Sequence, residues 1–170
     1  MTIEKKVDLL IHQVNLLKRM INDDGFPFFM FVLNHGFEEN QMNAVLKVMV
    51  ILGCRLEPSM PQDKFNEKTM HIKNDYILVA EESIKNSISD LNEYIELIKN
   101  DFVCRNDYKL DIDELFQMNK LPSIEEFKKY TTLILGESFK VKHLLLALKR
   151  QHINPSLCEF LLDELDESKL

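Results

Sequence analysis

The feature that most limits how this chain can fold is a heptad stripe at its start. Between Thr2 and Asp23, Ile3, Val7, Leu10, Val14, Leu17 and Ile21 recur at steps of 4, 3, 4, 3 and 4. That spacing is an a/d seam held for about three repeats. Leu9, Ile11, Leu16 and Met20 are expected to widen the seam into a broad apolar face, while Lys5, Lys6, Lys18 and Arg19 lie off it. Neither Gly nor Pro interrupts the stretch. At 1.5 Å per residue it spans roughly 33 Å. Its apolar side must be buried against other helices, from its own chain or a second copy.

A second stripe predicts a long helix over 76–102. Ile77, Ile84, Ile88, Leu91, Ile95, Ile98 and Phe102 follow at steps of 7, 4, 3, 4, 3 and 4. Two such helices imply side-by-side packing, within one chain or across a dimer. The self-association candidates are therefore Ile3, Val7, Leu10, Val14 and Leu17 on the first stripe, with Ile84, Ile88, Leu91 and Ile95 on the second. The outer face of the second carries Glu81, Glu82, Asp90, Glu93 and Glu96. Acidic neighbours three or four residues apart repel one another, so these five are the candidate surface for a second, basic partner.

Between and after the stripes the chain reads as short helices. Asp24 is placed to cap a helix with Pro27 in its first turn. The run from Phe26 to Leu33 is nearly all apolar, and Asn34-His35-Gly36 closes it. Four phenylalanines, at 26, 28, 29 and 31, make this the hydrophobic hub of the first half. Phe28, Phe29 and Phe31 could fill a core, enter a partner's groove or line a pocket for an apolar ligand. A third helix is expected over 38–52, with Ala44, Val45, Val48, Ile51 and Leu52 inward and Gly53 as its stop. Residues 54–75 contain Pro58 and Pro61 and no clean period, and read as a loop.

Arg105 to Lys109 is a polar break, and Asp111 starts a short helix ending near Met118. Ser123 with Glu126 forms an S-x-x-E capping box for a helix from Ile124 to Leu135, ended by Gly136. Ser138 is expected to cap a helix over about 139–151. Asn154-Pro155 opens a last helix over about 155–165, and the stretch from Asp163 onward is expected to fray. No alternating strand pattern occurs. The expected fold is all-α: a multi-helix bundle with two long heptad helices and several short ones, one domain over 1–170.

Composition then narrows the function. The 170 residues carry a formal net charge of −7. Residues 1–55 hold 6 acids and 6 bases, 56–121 hold 14 and 8, and 122–170 hold 8 and 7, so the acidity belongs to the middle. No Lys/Arg cluster of the kind that binds phosphate backbones occurs, which disfavours direct nucleic-acid binding. No run of about 18 apolar residues reaches membrane-spanning length. The charged N-terminus does not read as a secretory signal. These features point to a cytoplasmic protein.

The residues tested for chemistry give no reaction. Cys54, Cys104 and Cys158 form no CxxC pair, and an odd count argues against a disulfide framework. His12, His35, His71, His143 and His152 never pair at i, i+3 or i, i+4, as a helical zinc site would require. Phosphate-binding, nucleophile-elbow, metalloprotease and calcium-loop motifs do not occur. No catalytic residue, cofactor or metal is expected.

The order of residues in the first 55 carries a resemblance. A long amphipathic helix is followed by Phe26-Pro27-Phe28-Phe29, Val32-Leu33, Asn34-His35-Gly36-Phe37-Glu38-Glu39 and Ala44-Val45-Leu46. In the tail, Phe127, Leu133, Gly136, Val141, Ala147-Leu148, Gln151 and Ile153 continue the pattern. The chain thus resembles the YhaI-like family of small helical proteins of Bacillus-type bacteria. Members are shorter, so the resemblance implies that 56–120 is an insertion carrying the acidic helix. It also implies a helical fold and oligomerisation, and it brings no catalytic residues.

The functional expectation is a non-enzymatic, self-associating interaction protein that regulates another protein, such as a phage- or mobile-element-type inhibitor or antitoxin. Three alternatives stay open: an apolar-ligand sensor built on the Phe hub, a nucleic-acid-associated regulator, and an enzyme whose site forms only on oligomerisation.

Overall fold

A computed structural model describes residues 1–20, 25–56 and 91–168. These residues form eight α-helices and no strand. In chain order they are α1 (Ile3–Met20), α2 (Pro27–His35), α3 (Glu39–Leu56), α4 (Leu91–Cys104), α5 (Ile112–Leu115), α6 (Ile124–Leu135), α7 (Val141–Arg150) and α8 (Pro155–Glu167). None of them is long and apolar enough to cross a membrane. The all-α, multi-helix expectation holds. The loop expected over 54–75 and the first half of the second heptad helix fall mostly outside the described residues. Residues 54–56 are helical, against the expected loop, and within the described residues 91–104 form a helix of 14 residues.

The centre is α3. Ala44 to Leu46 and Val48 to Arg55 are all buried, so the helix is covered on every side rather than along one stripe. α6 and α8 flank it, and α5 bridges it to α4. α7 packs against α8 and also against α2. Gly53 does not stop α3, which continues to Leu56. A Cβ at Gly53 would meet the Asn154 amide oxygen at 3.1 Å. The glycine lets α3 and the start of α8 approach closely. Asn154 in turn donates from Nδ2 to the Met49 carbonyl at 3.0 Å from a left-handed backbone with φ 44°, which Asn tolerates better than most residues.

Several helix ends are satisfied by side chains from distant elements. α2 is preceded by Phe26, whose side chain makes no capping bond, and Asp24 lies outside the described residues. The acceptor is Gln151 Oε1, which takes the N–H of Phe28 at 2.9 Å and of Phe29 at 3.2 Å. At the other end Gly36 adopts φ 64° and completes a C-terminal turn, a conformation that glycine enters without a Cβ penalty. The Glu38 N–H donates to Gln41 Oε1, and Gln41 Nε2 reaches the Ile134 carbonyl of α6 at 2.8 Å.

The capping box at Ser123 is half formed. Ser123 Oγ accepts from the Glu126 N–H, but the Glu126 carboxylate does not return to the cap. It turns inward to Arg55, and Glu164 Oε2 of α8 accepts the neighbouring Ile124 N–H at 2.6 Å. Asp111 caps α5 by accepting from Glu114 N–H; α5 ends at Leu115, short of Met118. α7 starts at Val141 with Lys140 as its cap residue, so Ser138 does not cap it. α8 stays helical to Glu167 rather than fraying from Asp163.

Arg55 and Glu126 form a deeply buried ion pair. The two side chains are 0% and 3% exposed. Arg55 makes a two-pronged contact, Nη1 to Oε1 at 2.5 Å and Nη2 to Oε2 at 2.8 Å. Its fork also donates to the carbonyls of Lys120, Leu115 and Leu121. Tyr130 donates its hydroxyl to Glu126. Burial, reinforced by the Glu126 charge, pushes the Tyr130 hydroxyl far above its usual range, so it remains a donor. One arginine thus ties α3, the α5–α6 connection and α6 together with its donors matched.

Candidate interaction surface

α1 carries two apolar faces. Its contact with the body runs mainly through α2. The side turned inward presents Leu16 and His12, 1% and 5% exposed, with Leu9 half-buried. At about 100° per residue these three lie roughly 120–180° round the helix from the heptad seam. Leu9 and Leu16 therefore do not widen the seam, as expected from sequence. They form a separate stripe by which α1 attaches to its own chain. Ile11 does adjoin the seam.

Among the described residues, nothing covers the seam itself. Ile3, Val7, Leu10, Val14 and Leu17, with Ile11 beside them, are between 46% and 80% exposed. Isolated exposed aliphatics are ordinary; here six of them form a contiguous apolar stripe along one helix. Thr2 fixes the start of the helix by accepting the Lys5 N–H at its hydroxyl. Glu4 and Lys18 flank the seam at its two ends, both exposed. Beside Ile11, a crevice of about 340 Å³ opens between α1 and the start of α3, lined among others by Lys5, Asp8, Glu38 and Asn40.

The other predicted site residues are distributed differently. Phe28, Phe29 and Phe31 are 1%, 0% and 8% exposed and belong to the core. Phe29 stacks on Phe26 at 5.5 Å between centroids, and Phe31 meets Phe139 edge-on at 6.4 Å. Exposed His35 lies flat on Phe37 at 5.3 Å and shares a 2.8 Å hydrogen bond between Nδ1 and the Phe31 carbonyl. Ile95 is buried in the same core, with Ile98 and Phe102. Leu91 begins α4. Ile84, Ile88, Glu81, Glu82 and Asp90 lie outside the described residues. Glu93 and Glu96 are exposed on α4.

Two polar features were not legible in the sequence. One is the Arg55–Glu126 pair, 71 residues apart in the chain. The other is a groove of about 280 Å³ between α3 and α4, where Lys47 pairs with Asp101 at 2.6 Å beside Arg105 and Tyr108. Burial, with the charges of Glu38 and Asp107, raises the Tyr108 hydroxyl above its usual value. Among the described residues, no group of three or more His, Cys, Asp or Glu side chains converges as a metal site would require. Cys158 is buried while His152 is exposed. Burial pushes the Cys158 thiol up to about 12, which leaves it protonated and unreactive at neutral pH.

No protein-family model, curated protein or solved structure matches this chain.

Proposed function

We propose that this chain is a non-enzymatic helical interaction protein that self-associates through α1 and regulates or inhibits a second protein. The observation that carries the reading is the uncovered seam of α1. Among the described residues, the body covers the Leu9–His12–Leu16 side of that helix, and a heptad-spaced aliphatic stripe is exposed. A stripe of that spacing suits another helix. The resemblance to the YhaI-like pattern, which includes this helix, implies oligomerisation as well. Exposed Glu93 and Glu96 on α4 offer an acidic face to a basic partner. The packing of Phe28 and Phe29 favours a core role for the hub over a ligand pocket.

The test is co-purification of two differently tagged copies expressed together. The wild-type pair is expected to be recovered in one complex, and Leu10→Glu with Val14→Glu in both copies is expected to release it. Recovery that is indifferent to both substitutions, with native helix content retained, would remove α1 as the self-association element.

A further inference from the structure

We infer that the occupant of the α1 seam is the α1 of a second copy running antiparallel, in one register. This rests on the self-association reading above and adds the direction and pairing of the helices. In heptad terms Val7 and Val14 sit at a, and Leu10 and Leu17 at d. The b and c positions and His12 at f face outward from such a pair, and Leu9, His12 and Leu16 are the residues that hold α1 to its own body. Among the described residues, the body therefore lies on the far side of the helix from the seam and leaves the seam open to a second helix. Over the six exposed aliphatics the fractional exposures add up to about three whole side chains per copy. β-branched residues at a with Leu at d are the two-stranded preference in parallel pairs; here the flanking residues decide the direction.

In a parallel pair, g faces e of the next heptad. Lys6 would meet Ile11 of the second copy, and Gln13 would meet Lys18, so no opposite charges come together. In an antiparallel pair, e faces e. Glu4 then meets Lys18 of the second copy, the reciprocal pair forms at the other end, and Ile11 meets Ile11 at the middle. The same register layers Val7 on Leu17 and Leu10 on Val14 of the second copy. At g it sets Gln13 against Gln13. Core layers, charges and apolar flank thus agree on one arrangement. It is two-fold symmetric, as a closed homodimer requires.

A charge-reversal cycle on the full chain, read as the dimer dissociation constant by sedimentation equilibrium, tests this. Glu4→Lys and Lys18→Glu each convert both inter-copy pairs from attractive to repulsive. Each is expected to weaken the dimer about tenfold. The double variant Glu4→Lys/Lys18→Glu restores both pairs and is expected to return within about threefold of wild type. Two exposed residues are changed, so helix content by circular dichroism stays the same. Single variants that dimerise as wild type does, or a double variant weaker than either single, would overturn the antiparallel register while leaving α1 self-association standing. A wild-type chain that stays monomeric would overturn both.

Discussion

Replacing Arg55 by Met leaves the Glu126 carboxylate, 3% exposed, without its cation. It also removes the donors to the carbonyls of Lys120, Leu115 and Leu121. Breaking a buried pair from one side costs about 3–5 kcal/mol, because the remaining charge is left in low dielectric. The stranded carbonyls add to this, so Arg55→Met belongs near the upper end. Glu126→Leu leaves Arg55 its three carbonyl acceptors and belongs near the lower end, about 3 kcal/mol. The double variant has no stranded charge. It should cost less than the sum of the singles, with a coupling energy of about 2–3 kcal/mol. Urea unfolding followed by circular dichroism measures all four corners of the cycle. For a chain of this length, Arg55→Met should also lower Tm by on the order of 10 °C. Single variants that each cost under about 1 kcal/mol, or strict additivity, would refute the claim that this pair holds the α3–α6 junction.

Three further outcomes follow from the same packing. Gln151→Ala removes the acceptor for two N–H groups at the start of α2 and is expected to cost about 1–2 kcal/mol, with Gln151→Glu retaining most of it; equal losses from both would contradict the capping role. Gly53→Ala is expected to destabilise the wild-type chain, where Asn154 stands 3.1 Å from the new Cβ, and to stabilise an Asn154→Gly background by up to about 1 kcal/mol of helix propensity; the same sign in both backgrounds would exclude the contact. A chromogenic disulfide reagent at pH 8 should titrate one thiol in the native chain, exposed Cys104, and three after denaturation; rapid native reaction of Cys158 would contradict its burial.

The local grammar of helix starts and stops was largely readable. Pro27, Gly36, Pro122, Ser123, Gly136 and Pro155 all punctuate helices close to where their chemistry places them. The errors share one cause. The Ser138 cap and the Glu126 arm of the capping box follow from sequence neighbours, whereas Gln151 takes two N–H groups of α2 and Glu164 joins Ser123 at the start of α6, both from remote elements. Gly53 was judged by its helix-breaking tendency, whereas its role is set by Asn154, about a hundred residues on. The heptad stripe correctly marked α1 as a helix with an apolar seam. Adding Leu9 and Leu16 to that seam merged two faces that the helical period separates, and only the fold assigns one to the body and one to solvent.

The most direct test of the central claim is the solution mass of the intact chain by light scattering across a concentration series. One chain weighs 20.0 kDa. Wild type is expected at about twice that mass at micromolar concentration, and Leu10→Glu is expected to return to the single-chain mass with folding retained. A wild-type chain that stays at 20.0 kDa, stable and soluble at concentrations a hundredfold higher, would contradict it.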